Sequence, residues 1–200
     1  MVKQPTAEEL QAECNLFWDL VDVMPETRQK QVRAMMDEIG TAYMSAPASS
    51  REEFHSCYPG GLLIHSLNVT KLLTKLAKHM RPGRYQDGTL AFVGLFHDLG
   101  KASDGVSDVY VPNPSQWHRE KLGALYEVNK DIQHMTIADR SLFLLQRFGV
   151  QASIEEFLAI RLADAQNVRE NEAYRYKEPD LAILLQTANA FAERNEKASV

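Results

Sequence analysis

Two hundred residues fit one domain, or one domain with a small appendage. With 44% hydrophobic and 24% charged residues, the chain can fill a real core; its net charge of −5, spread over interspersed acids and bases, argues against a broad duplex-DNA-binding face. No apolar stretch reaches the roughly 18 uncharged residues needed to span a bilayer, and MVKQPTAEELQAE lacks the apolar core of a secretory signal. The two cysteines, Cys14 and Cys57, have no CxxC spacing and read as reduced, packed thiols, so the expected compartment is the cytoplasm.

The predicted elements are helices, one after another. Thr6 followed by Glu9 is a capping-box start, with Leu10, Cys14, Phe17 and Val21 at helical spacing behind it. Pro25 suits the first position of a second helix whose apolar face carries Val32, Met35, Met36, Ile39 and Tyr43. The stretch 45–50 is a break, and Ser50 with Glu53 predicts another short helical turn. Pro59-Gly60-Gly61 precedes a long helix from Leu62 to about Met80, closed by Arg81-Pro82-Gly83. The segment 89–99 is apolar and helical, with Gly100 where a C-cap would fall. A loop-like stretch, 102–116, contains Val109-Tyr110-Val111 as a short extended piece. Helices resume over 118–129, 138–148, 153–164 and 179–196, with Ser153 and Glu156 as a further capping box. No strand pattern of useful length, repeat or low-complexity tract interrupts them. The chain is therefore expected to be all-α, with residues 1–48 as an accessory helical hairpin packed on a main domain, 49–200.

Chemistry concentrates on two apolar helix faces. His65 lies in the stripe formed by Leu62, Val69, Leu72, Leu73 and Leu76. A lone histidine there would usually be a core residue bonded to a backbone carbonyl. In LAFVGLFHDLGK, however, His97 follows Leu90 and Val93 on an apolar face, and Asp98 comes directly after it. An ionised aspartate beside a buried histidine is costly unless a cation or donors compensate it. Two buried imidazoles and a carboxylate from two helices are a natural ligand set for a divalent metal.

PGGLLIHSLNVTKLL followed by LFHDLGK resembles the HD superfamily of metal-dependent phosphohydrolases, whose signature is a lone His, a His-Asp doublet and a later Asp. The resemblance covers roughly residues 55 to 195 and implies a helical bundle with a metal at its centre. It implies His65, His97 and Asp98 as metal ligands, and His118 resembles the middle histidine of some members. A further histidine would fall at Ala163, which cannot bind metal, and Asp164 beside it is placed to take over a ligand role. The closing Ala-Asp motif aligns with Ala188-Asn189, making Asn189 a neutral amide donor in place of carboxylate. Either Asp164 supplies the missing charge or the site is weakened.

On this resemblance Asp98 holds the ion and orients the attacking water, Lys101 pairs with a substrate phosphate, and Asp104 orients Lys101 or supports proton transfer. Lys121 and Arg161, with Arg119 and Arg140, are further phosphate-binding candidates. Tyr174, Tyr176 and Lys177 form either an ordinary surface loop or a base-stacking platform. His79 is read as a helix-end residue, His55 as a loop residue at a pocket mouth, and His134 as a surface residue. The implied cofactor is a divalent ion (Mn, Mg, Zn, Ni or Fe), and the implied partner is a small phosphorylated molecule such as a nucleotide. Neither membrane nor duplex nucleic acid is expected, and oligomerisation stays open. The rival reading is a degenerate HD domain that binds a ligand or partner protein without turnover, favoured by Ala163 and Asn189.

Overall fold

A computed structural model describes residues 4–165 and 168–197, so the outermost residues of the segments 1–48 and 49–200 lie outside the described residues. Among the described residues, eight α-helices carry the fold: α1 (Ala7–Asp22), α2 (Glu26–Ser45), α3 (Gly61–Met80), α4 (Asp87–Phe96), α5 (Gln116–Leu122), α6 (Ile137–Arg147), α7 (Ile154–Arg161) and α8 (Asp180–Lys197). Tight 3-10 turns occupy Leu99–Lys101 and Arg169–Tyr174. Strands β1 (Tyr110–Pro112) and β2 (Tyr126–Val128) pair antiparallel, Tyr110 opposite Val128. The protein is an all-α bundle with one small ribbon. Among the described residues, no helix is long and apolar enough to cross a membrane.

Local chemistry sets the starts of α1, α5, α6 and α7. Thr6 accepts the Glu9 N–H at 3.2 Å while Glu9 accepts the Thr6 N–H at 2.7 Å; Ser153 and Glu156 repeat the box on α7. Each such cap satisfies donors that a helix end would otherwise leave bare. Ser50 and Glu53 start no helix. The segment 48–60 folds as turns instead, because Ser49 Oγ donates to the His55 carbonyl at 2.6 Å and the chain closes on itself. The helix expected over 118–129 is also shorter than its sequence suggests. Gly123 takes φ 57, ends α5, and releases Tyr126–Val128 to pair with β1.

One buried cluster draws on α1 and α2 as well as on the later helices. Phe17 and Tyr43 pack against Phe96, with ring centroids 6.1 and 6.2 Å apart. Tyr43 donates its hydroxyl to the Leu95 carbonyl at 2.6 Å. Arg28 of α2 forks onto Glu156 of α7 at 2.7 and 2.9 Å and lies over the Phe92 ring. Helices α3 and α8 run antiparallel, since Asn68 bonds Glu196 at one end while Arg81 pairs with Asp180 at the other.

Two glycines permit the close approaches that bring the later site together. A β-carbon on Gly94 would lie 2.4 Å from Thr70 Oγ1, so α4 can press against α3 only with glycine there. Gly100, expected as a left-handed helix cap, plays a different part. Helix α4 has already ended at Phe96, and a β-carbon on Gly100 would stand 2.3 Å from the Ile137 carbonyl of α6. Ser141 of α6 accepts the Gly100 N–H at 2.8 Å and lies 2.9 Å from the His97 carbonyl, to which its hydroxyl donates. Gly100→Ala is therefore expected to cost about 3 kcal/mol through forced separation of α6 from the 97–101 turn. Urea unfolding checks this, and an unchanged midpoint would contradict it.

Candidate metal centre

His65 sits one turn into α3, on the face the helix buries, and its ring is fully enclosed. His97 and Asp98 follow the last turn of α4, and both are buried. The packing of α3 on α4 brings the two rings to a centroid separation of 5.5 Å. Asp98 Oδ2 then stands 3.5 Å from His65 Nε2 and 3.5 Å from His97 Nε2. The three ligand atoms lie within 4.8 Å of one another, a spacing that can hold a metal ion.

The outer nitrogens decide what the inner ones are. His97 Nδ1 lies 2.9 Å from the Gly94 carbonyl, which only accepts, so Nδ1 carries the proton. Burial also pushes the His97 pKa down to about 4, leaving the ring neutral and a lone pair on Nε2. His65 Nδ1 lies 3.1 and 3.2 Å from the two carboxylate oxygens of Glu196. A proton on Nδ1 satisfies that contact, and the neutral ring in that tautomer presents a lone pair at Nε2. Neither Nε2 has a hydrogen-bond partner. Two lone pairs and a carboxylate oxygen thus converge with no proton between them, an arrangement that only a cation resolves. The residues present fit a divalent metal.

One cation already stands at the edge. Lys101, in the 3-10 turn after Asp98, brings Nζ to 2.5 Å from Asp98 Oδ2. Burial pushes the Asp98 pKa upward, but the charge and hydrogen bond of the Lys101 ammonium hold the carboxyl well below the usual range. Asp98 in turn raises the Lys101 pKa against the effect of burial. Asp164, half-buried after α7, is pushed up to about 6 by burial and then by the charge of Asp98. It therefore senses the centre electrostatically while standing outside the tight three-ligand group.

The other expected residues scatter. His118 is exposed on α5 beside Trp117 instead of pointing inward, because α5 is a surface helix with no buried residue. Lys121 is exposed on the same helix. Asp104 is committed to the Val106 and Ser107 N–H groups at 3.0 and 2.9 Å and to Arg140 at 3.4 Å, which makes it a loop-ordering residue. Arg161 is held by Asp139 at 2.9 Å and Asn171 at 2.7 Å. Arg119 donates to the Asn113 carbonyl. Asn189 is buried on α8 with an unpartnered Oδ1. His79 and His134 are exposed, as are Tyr176 and Lys177, while Tyr174 is half-buried against the core.

Glu196 and His55 are the residues that sequence reasoning missed. Glu196, in the last turn of α8, accepts from Ser56 Oγ at 2.8 Å and Asn68 Nδ2 at 3.0 Å while holding His65. His55 is buried and stacks on His65 with centroids 4.4 Å apart, and burial holds its pKa down near 2. Nothing local in the ERNEK end of α8 marks Glu196; only the antiparallel register of α3 and α8 delivers it. Glu196→Ala is expected to release the His65 tautomer and to weaken divalent-ion binding by about 10–100-fold. Long-range 1H–15N spectra of the two ring nitrogens and ion titration check this, and an unaltered Nδ1–H signal would contradict it.

Residues 62–165, more than half of the chain, match a family model described as HD domain. No curated protein and no solved structure matches the chain. The matched stretch contains His65, His97, Asp98 and Asp164, and Asn189 lies outside it. With a helical bundle around a buried His, His-Asp centre already in place, the chain belongs to the HD domain family, whose members bind divalent metals and are generally hydrolases.

Proposed function

We propose that this protein is a metal-dependent phosphohydrolase acting on a nucleotide or another small phosphate ester. The observation that carries the reading is the convergence of His65 Nε2 and His97 Nε2 on Asp98 Oδ2, each at 3.5 Å and neither hydrogen-bonded. A divalent ion bound there supplies a Lewis acid for a phosphoryl oxygen and lowers the pKa of water toward neutrality.

The chain's own residues have separable parts in this reading. His65 and His97 hold the ion through Nε2, fixed in orientation by Glu196 and the Gly94 carbonyl. Asp98 holds the ion and orients the attacking water. Lys101, buried beside Asp98, turns its ammonium to a phosphate oxygen. Asp164 closes the ligand set: the family match ends just past it, and burial and then the nearby Asp98 charge raise its pKa, as expected of a carboxylate that needs a cation. The closing Ala-Asp pair then falls at Ala163-Asp164, and Asn189 has no ligand role. His118, Lys121, Asp104 and Arg161 also drop out, given where their side chains are engaged or exposed.

A second reading has its own support. Lys101 already neutralises Asp98 at 2.5 Å, as a fixed ammonium would in a domain that binds a ligand without turnover. Metal analysis and phosphate release from a nucleotide panel under Mn²⁺, Mg²⁺, Ni²⁺ or Fe²⁺ separate the two. The enzyme reading expects ion-dependent release, reduced to background in Asp98→Ala; no bound metal and no release with any ion would sink it. Asp164→Asn should weaken ion binding by about tenfold or more, whereas Asn189→Asp should leave it unchanged. The reverse pattern would move the closing ligand to α8.

A further inference from the structure

His65 faces the metal centre through Nε2, and its other nitrogen faces a second group of ligands. Among the described residues, one ligand atom from each of His55, His65 and Glu196 lies within 4.8 Å of the other two. Glu196 stands 3.1 and 3.2 Å from His65 Nδ1. His55 is buried against the same ring, with centroids 4.4 Å apart, and its Nε2 has no hydrogen-bond partner. A buried ring nitrogen left bare is costly, and the centre at Asp98 makes no use of this one. His55 and Glu196 both lie outside residues 62–165, so the family match accounts for neither.

The backbone fixes His55 in this place. Its carbonyl accepts from Ser49 Oγ at 2.6 Å, and Ser56 after it takes φ 45, a left-handed conformation that serine keeps only under constraint. The Ser56 carbonyl accepts the Ala48 and Tyr58 N–H groups at 3.1 and 3.0 Å. A β-carbon on Gly61 would stand 2.0 Å from that carbonyl, so the turn is pressed onto the start of α3, one helical turn before His65. Ser56 Oγ and Asn68 Nδ2 donate to opposite oxygens of Glu196 at 2.8 and 3.0 Å, as outer donors do around a carboxylate that ligates a metal. Burial, with the Lys101 and Lys197 charges, holds the His55 pKa near 2, so the ring is neutral. A cleft of about 380 Å³, lined in part by Asn68, Lys71, Lys75 and Glu196, gives an ion a way in.

Two imidazoles and one carboxylate make a recurrent three-ligand set for zinc, with a fourth position left to water. Nitrogen donors suit zinc, whereas carboxylate and water suit manganese. We propose that His55, His65 Nδ1 and Glu196 form a second metal site, which takes a zinc ion. As the zinc binds, the Nδ1 proton of His65 is released and the ion takes its place. With the centre empty, the His65 ring carries its remaining proton on Nε2, toward Asp98 Oδ2 at 3.5 Å. With the centre filled, that proton passes to solvent and the ring bridges the two ions as an imidazolate.

Counting the zinc that the full chain retains through gel filtration tests this. Wild type should hold two ions per chain and His55→Gln one. Equal counts in the two proteins would overturn the proposal. One ion in wild type and none in His55→Gln would uphold the second site and count against the centre at Asp98, so the two readings fail separately. Should His55→Gln not fold, anomalous scattering at the zinc edge from wild-type crystals decides. A peak about 2.0–2.2 Å from Glu196, His65 Nδ1 and a ring nitrogen of His55 supports the site. Zinc at the centre alone, or none between His55 and Glu196, contradicts it.

Discussion

The carboxylate of Asp98 is 6% exposed and sits among apolar helices, facing two imidazole nitrogens that carry lone pairs. Taking a carboxylate out of water costs several kcal/mol even after relaxation, and two facing acceptors add to that cost. A positive charge at this point is therefore a condition of the fold as well as of the chemistry. Lys101 provides one from three residues downstream. A divalent ion provides a stronger one and also satisfies the two nitrogens that an ammonium at Asp98 leaves unpaired. The two cations compete for one oxygen, so the balance between them separates a working hydrolase from a binding domain.

Much of the surrounding architecture reads as support for this point. Gly94 lets α4 close on α3, setting the His65 to His97 spacing, and Gly100 lets α6 close on the turn that carries Asp98. Helix α8 returns antiparallel along α3 and delivers Glu196 to the outer nitrogen of His65. Each contact removes a degree of freedom from a ligand before any ion binds, and this preorganisation separates a metal site from a chance cluster of polar groups. Helices α1 and α2 close the far side: Tyr43 bonds the Leu95 carbonyl just before the His-Asp doublet, and Arg28 braces α7.

His65, His97 and Asp98 were legible in the sequence because each breaks an otherwise apolar helical stripe, and a charged group in such a stripe demands an explanation. The helical class was legible for the related reason that capping boxes and 3.6-residue periodicity are local. Only half of the β ribbon was: the extended piece Val109-Tyr110-Val111 overlaps β1, whereas the helix signal in front of Gly123 ran on past β2. His118 misled because the apolar residues after it suggested a buried face, whereas α5 is a short surface helix. Glu196 was hidden differently: its role arises from contacts between helices distant in sequence, and a charged residue at a helix end looks the same whether solvated or engaged. Asp164 falls between: the sequence marks it as a possible ligand beside Asn189, and only the fold shows its carboxyl buried near the like charge of Asp98.

The most direct measurement of the central claim is anomalous X-ray scattering from crystals grown with Mn²⁺. The account predicts one strong peak at coordination distance, about 2.0–2.3 Å, from His65 Nε2, His97 Nε2 and Asp98 Oδ2, with the Lys101 ammonium moved off Asp98. No peak at that position, with Lys101 still seated on the carboxylate, would contradict it.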